Sequence, residues 1–220
     1  MNKSRALLKV LRELVALVLA AASLIAVPAW ADDVGDLILA VSRNESYTLG
    51  KLLERGVDPN LKEATRGETA LMVAIREKAM RSVMVLLASP KIDLEVASNN
   101  GDTALMIASF SDNLAAVKLL LDKDAEVNRH GWTALHYAAA VGNGEIVSLL
   151  LDKSAYIDAE SPNRTTPLMM AARAGRTDVV KLLIDAGADV KLKNDQGLTA
   201  YDFAVDNERT STAEFLKAAK

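Results

Sequence analysis

Five hexapeptides of one design recur along this chain. Thr-Ala-Leu-Met-Val-Ala (Thr69–Ala74) returns as Thr-Ala-Leu-Met-Ile-Ala at Thr103–Ala108 and as Thr-Ala-Leu-His-Tyr-Ala at Thr133–Ala138. Thr-Pro-Leu-Met-Met-Ala (Thr166–Ala171) and Thr-Ala-Tyr-Asp-Phe-Ala (Thr199–Ala204) complete the series, and the leading threonines lie 34, 30, 33 and 33 residues apart. A unit of that length cannot bury its apolar face alone, so it is stable only against a copy of itself. The period therefore predicts a stack of small units, an architecture that usually binds other proteins and rarely carries out a reaction.

One unit, Thr166 to Val190, shows the local logic. Thr166 is a helix N-cap, and Pro167 stands at the first helical position, where no useful amide is lost. Leu168, Ala171 and Ala172 share one face, and Gly175 ends this short helix by tolerating a left-handed backbone. Thr177-Asp178 opens a second helix with Val179, Val180, Leu182, Leu183 and Ile184 on its apolar side. Gly187 closes it, and Ala188-Asp189-Val190 leads into a projecting turn. An aromatic content of only 4 %, with abundant Ala and Leu, suits closely packed short helices.

These residues resemble the ankyrin repeat family, whose pattern runs Gly-x-Thr-Pro-Leu-His, Ala-Ala-x-x-Gly, a Val-Val-x-Leu-Leu-Leu helix and Gly-Ala-Asp-Val-Asn. In the unit Gly131–Ile157, Gly131, Thr133, Leu135, His136, Ala138, Ala139, Gly142, Ile146, Val147, Leu149, Leu150 and Leu151 match that pattern. The resemblance covers about residues 33 to 217 and implies an all-α solenoid of five to six helix-turn-helix units with β-turn fingers. The expected units are about 33–61, 62–96, 97–128, 129–159, 160–191 and 192–220, within a repeat domain at 32–220. Leu37, Ile38 and Val41 are expected to face the second unit from an abbreviated first one. Phe203, Phe215 and Leu216 are expected to finish the core beneath a polar outer face.

Some positions depart from the pattern. Lys91, Asp124 and Ser154 stand where the family carries the glycine after the second helix, which predicts strained left-handed residues there. Arg164 replaces the turn glycine of the fifth unit, so that finger is expected to be shaped differently. The fourth finger is short: five steps separate Asn128 from Thr133, against eight from Asp158 to Thr166 and from Lys191 to Thr199.

The N-terminus reads differently from the rest. Lys3, Arg5, Lys9 and Arg12 precede an uncharged, largely apolar run from Leu14 to Val27, broken by Pro28 and followed by Ala29-Trp30-Ala31. This is the pattern of a secretory signal peptide over residues 1–31, with cleavage expected after Ala31. The run is short for a membrane span of about 20 residues, so no stable insertion is expected after cleavage. Removing those residues takes four basic residues and one acid from a chain of net charge −3 and leaves −6. That balance argues against a nucleic-acid partner. With no cysteine in the chain, thiolate metal sites and disulfides are excluded, and a periplasmic location is expected.

A search for chemistry finds little. No phosphate-binding glycine loop, His-Glu-x-x-His or Gly-x-Ser-x-Gly is present. Of two histidines, His136 matches the family's structural histidine and His130 lies in the short finger. Asp122-x-Asp124-x-Glu126-x-Asn128 lacks the glycine and the distal acid of a calcium loop. No catalytic residue, metal site or cofactor is expected, and a hydrolase is the remote alternative.

Surface recognition remains. In the family, residues flanking the turn glycine and the pair before the helix-ending glycine line a concave face. The candidate partner-binding residues are Arg66, Arg76, Phe110, Ser111, Arg129, His130, Trp132, Val141 and Arg173. Phe110 and Trp132 come from neighbouring units and are expected to form a central aromatic patch, unless Trp132 merely packs on the next finger. Arg66, Arg76, Arg129 and Arg173 either ring it and favour an acidic partner segment or simply keep the surface soluble. The reading is a monomeric, exported, non-enzymatic module that binds a protein through its concave face, as helper or inhibitor of an envelope enzyme or toxin. A self-assembling structural envelope protein is the second reading.

Overall fold

The computed structural model describes residues 29–219. The basic opening and apolar run at the N-terminus lie outside the described residues, as does Lys220. Twelve helices and one isolated antiparallel bridge, Lys62 to Thr69, make up the described secondary structure. The helices come in six antiparallel pairs: α1 (Ala29–Ser42) with α2 (Ser46–Glu54), α3 (Ala70–Arg76) with α4 (Met80–Leu87), and α5 (Ala104–Phe110) with α6 (Leu114–Leu121). They continue as α7 (Ala134–Val141) with α8 (Gly144–Asp152), α9 (Pro167–Ala174) with α10 (Thr177–Asp185), and α11 (Ala200–Asp206) with α12 (Thr210–Ala218). The expected cleavage position, Ala31, falls in the first turn of α1.

The repeated threonine starts the first, inner helix of each pair from the second pair on. Thr69, Thr166 and Thr199 have extended backbones, and their hydroxyls accept the amide hydrogens of Met72, Met169 and Asp202. Gly142 and Gly175 close α7 and α9 at φ of 95° and 72°, a conformation that glycine adopts without Cβ strain. Apart from α1, the helices have seven to nine residues, too short to persist alone in water. Packing therefore holds them.

The odd-numbered helices touch one another in succession from α1 to α11 and form one layer; the even-numbered helices form the other. Ala74, Ala108, Ala138, Ala171 and Ala204, the last residue of each repeated motif, are all 0 % exposed. A methyl group at that point lets consecutive inner helices approach closely. Val83, Val117, Val147 and Val180 with Leu86, Leu120, Leu150 and Leu183 bury the same face of each outer helix. Leu37 and Val41 close the first unit and Leu216 the last, with Phe203 and Phe215 half-buried beside it.

Polar ties join each unit to the next. The Asn60 carboxamide accepts the Asp93 amide at 2.9 Å, and the Glu95 carboxylate accepts the Glu126 amide at 2.8 Å. The Asn128 carboxamide takes the Tyr156 amide at 2.8 Å, and the Asp158 carboxylate takes that of Asp189 at 3.2 Å. This row of side chains at the foot of each finger repeats with the period of the stack. Burial raises the pKa of Asp158, against the lowering hydrogen bond from the Asp189 amide.

Two expectations are corrected. Asp124 and Ser154 do take left-handed backbones, at φ of 59° and 63°, but Lys91 does not. The second unit has one extra residue there: eight steps separate Leu87 from Glu95, against seven from Leu151 to Asp158. Pro90 lacks an amide hydrogen, and the loop turns through Ile92 donating to the Ser89 carbonyl at 3.2 Å. The fifth finger keeps its shape without a glycine. Arg164 adopts φ of 59°, and Ser161 donates to the Thr165 carbonyl at 3.1 Å. The same closing bond joins Ser98 to Asp102 in the third finger and Asn194 to Leu198 in the sixth.

Candidate protein-binding surface

Phe110 and Trp132 are joined by a residue absent from the sequence-based candidates. The Phe110 ring meets Tyr137 edge to face at 5.7 Å between centroids, and Trp132 lies 6.4 Å from Tyr137 at a tilt of 38°. Trp132 also meets His136 edge to face at 5.2 Å, so it packs on the inner helix of its own unit. The three rings make one row: Phe110 is 61 % exposed, while Tyr137 and Trp132 are half-buried. Tyr137 is held by its hydroxyl, which donates to the Asp102 carboxylate at 2.6 Å. Burial, and then the hydrogen bond and charge of Asp102, push its pKa far above the ordinary phenol range. The signal for Tyr137 was its place in the motif, where the other units carry Val73, Ile107, Met170 and Phe203.

Beneath this row lies a neutral histidine. His136 is fully buried, its Nδ1 accepts the Thr133 amide at 3.1 Å, and its Nε2 therefore carries the proton donated to the Thr165 carbonyl at 2.9 Å. Burial lowers its pKa to about 4, against the opposing pull of the Thr165 and Ala159 carbonyls. It thus ties the fourth unit to the fifth and is not a free ligand.

Two of the four arginines are drawn to a carboxylate of their own unit. Glu68 is 5 % exposed and draws two of them: Arg76 donates to it at 2.8 Å, and Arg66 stands 4.0 Å away. A buried carboxylate requires such partners, so these two guanidiniums serve the second unit. Arg129 lies in a cleft beside the fourth finger, together with the exposed His130. Arg173 is exposed at the end of α9, and its carbonyl accepts Arg209 Nε at 3.3 Å. An analogous bond runs from Arg176 Nε to the Ala140 carbonyl at 3.3 Å. Ser111 caps α5 and Val141 ends α7, both half-buried.

Among the described residues, no group of three or more His, Asp or Glu side chains is placed to hold a metal ion. Among those residues, too, no helix is long and apolar enough to cross a membrane.

A two-layer stack of short helical pairs, with turn fingers along one edge and a row of half-exposed rings, defines a solenoid of the protein-interaction class. The chain belongs to the ankyrin repeat family: the family described as Ankyrin repeats (3 copies) matches residues 37–130, 78–161, 129–194 and 156–220. Ankyrin repeats are protein–protein interaction modules. The chain is similar to the NF-kappa-B inhibitor alpha of Sus scrofa, 37 % identical over 97 residues, which are 42 % of this chain and 31 % of that protein. It is 34 % identical over 97 residues to the transient receptor potential cation channel subfamily A member 1 of Homo sapiens, covering 43 % of this chain and 9 % of the channel. A putative ankyrin repeat protein of Rickettsia felis is 32 % identical over 78 residues, 35 % of this chain and 25 % of its own length. The match thus spans less than a third of each of these relatives.

Proposed function

We propose that this chain is a non-enzymatic binding module, exported to the periplasm by cleavage after Ala31, that holds one protein partner on its concave face as a monomer. Its partner is an envelope enzyme or toxin that it assists or inhibits. The observation that carries the reading is the Phe110–Tyr137–Trp132 row. Three rings lie together on a stacked scaffold, one of them mostly in water, where burial against the core does not account for it. Aromatic anchors of this kind dominate protein interfaces, and a scaffold that already holds them loses little ordering entropy on docking.

The test is capture from an envelope extract, with light scattering on the purified protein. Phe110→Ser and Trp132→Ala should each weaken retention of the captured partner by about 2 kcal/mol, some thirtyfold. Phe110→Ser should lower the melting temperature only slightly, because the ring is mostly solvated and gives up one edge-to-face contact with Tyr137. Undiminished capture by both variants would refute the assignment. A stable homo-oligomer that dissociates on Trp132→Ala would favour self-assembly instead.

A further inference from the structure

The fourth finger interrupts a pattern that its neighbours keep. Asn99 of the third finger donates its amide to the Arg66 carbonyl of the second at 2.9 Å, and Asp195 of the sixth donates to the Asn163 carbonyl of the fifth at 3.1 Å. Fingertips are therefore clasped in two pairs. Among the described residues, no such backbone bond joins the fourth fingertip to the third or the fifth. The cause is legible in the residues. The fourth finger is three steps shorter than the fifth, and Pro162, which stands where Asp195 stands in the sixth, has no amide hydrogen to give. The fourth fingertip nevertheless comes close to the fifth: a Cβ on Gly131 would lie 3.7 Å from the Pro162 ring.

The shortening leaves a cleft of about 620 Å³ lined by Glu126, Asn128, Arg129, His130, Tyr156 and Glu160, among others. Its walls carry three different chemistries. Arg129 lines the cleft, and its Nη1, shielded from water, has no hydrogen-bond partner, so turning toward an acceptor in the cleft costs it no existing bond. Tyr156 is 70 % exposed and offers an apolar ring face. Glu126 and Glu160 are exposed carboxylates, the second only loosely engaged by Arg164 at 3.4 Å.

We propose that this notch receives an extended segment of the partner protein that brings a backbone carbonyl to Arg129, an apolar side chain to Tyr156 and a lysine or arginine to the two glutamates. The proposal deepens the protein-binding reading by naming the chemistry of a second contact, separate from the aromatic row. Two carboxylates line the cleft against one guanidinium, and Arg164 engages only one oxygen of Glu160, at 3.4 Å, so the rim favours a basic residue over an acidic one. A neutral carbonyl satisfies Arg129 without meeting Glu126 or Glu160 as a like charge. A small free anion fits poorly for that reason.

The test uses the full mature chain and three capped hexapeptides, Gly-Ser-Leu-X-Ser-Gly with X as Lys, Gln or Glu, followed by nuclear magnetic resonance of the Arg129 side chain and the Tyr156 amide. The lysine peptide should give saturable shifts at both residues and bind about tenfold more tightly than the glutamate peptide. Arg129→Gln should weaken the lysine and glutamine peptides alike. The Glu126→Gln, Glu160→Gln double variant should bring all three peptides to one affinity. Circular dichroism spectra matching the parent would show that both variants fold. A glutamate peptide that binds best would make the notch a carboxylate receptor and overturn the proposal, as would the absence of saturable shifts. Either failure, with capture still dependent on Phe110 and Trp132, would leave the aromatic surface standing. Loss of that dependence with the peptide result intact would refute the aromatic surface alone.

Discussion

Asp124 and Ser154 occupy a backbone conformation that suits glycine, whereas Lys91, at the position that looks equivalent by eye, does not. A side chain in the left-handed region costs about 1 kcal/mol. Asp124→Gly and Ser154→Gly should each raise stability by up to that amount in urea unfolding, with Asp124→Gly the smaller because Asp tolerates the conformation better. Lys91→Gly should give no gain, since it relieves no strain and adds freedom to the unfolded chain. A gain at Lys91 equal to that at Ser154 would contradict the backbone described above. The distinction was hidden in the sequence because one inserted residue before Glu95 shifts the alignment. Tyr137 escaped for a different reason: the other units carry Val73, Ile107, Met170 and Phe203 at its motif position, so a ring there reads as packing and not as a bridge between Phe110 and Trp132. The pairing of Arg66 and Arg76 with Glu68 was hidden as well, because spacing alone does not reveal which carboxylate loses its water.

At the scale of the element, the helices were largely legible and the fingers only in part. A leading threonine and an alanine seam at fixed offsets specify five of the inner helices, with a closing glycine on α7 and α9, and the structure places helices over those residues. The length of the fourth finger could be counted, but its consequence depends on hydrogen bonds between neighbours. Those bonds give a measurable contrast. The amides of Asn99 and Asp195 should exchange with deuterium at least about tenfold more slowly than those of Arg129 and His130. Equal rates at all four positions would mean that the clasped pairs do not persist in solution.

At the scale of the whole molecule, units share stability through their seams, and His136 sits in one of them. Unfolded, its imidazole gains a proton near pH 6.5; folded, it does so only near pH 4. Between those limits the unfolded chain binds more protons, so the stabilising contribution is complete above pH 6.5, declines as the pH falls and is lost by about pH 4. The change amounts to about 3 kcal/mol. Urea unfolding across this range should show that loss in the parent. His136→Met, which copies Met72, Met106 and Met169 of other units, should flatten the decline; equal slopes in the two proteins would show that another group is responsible. Five of the six helical pairs could be anticipated from the threonine period; the first lacks the motif and is legible only from the family resemblance. Of the couplings between units, the resemblance pointed to the one through His136; the ties at the feet of the fingers, such as Asn60 to Asp93, were hidden because they join residues some thirty positions apart.

The interrupted fingertip contacts also leave the rim unevenly tied. The second and third fingers share a backbone bond, as do the fifth and sixth, and among the described residues the fourth fingertip shares none with either neighbour. An insertion at the fourth tip would therefore sever no such tie, whereas one at Asn99 or Asp195 would.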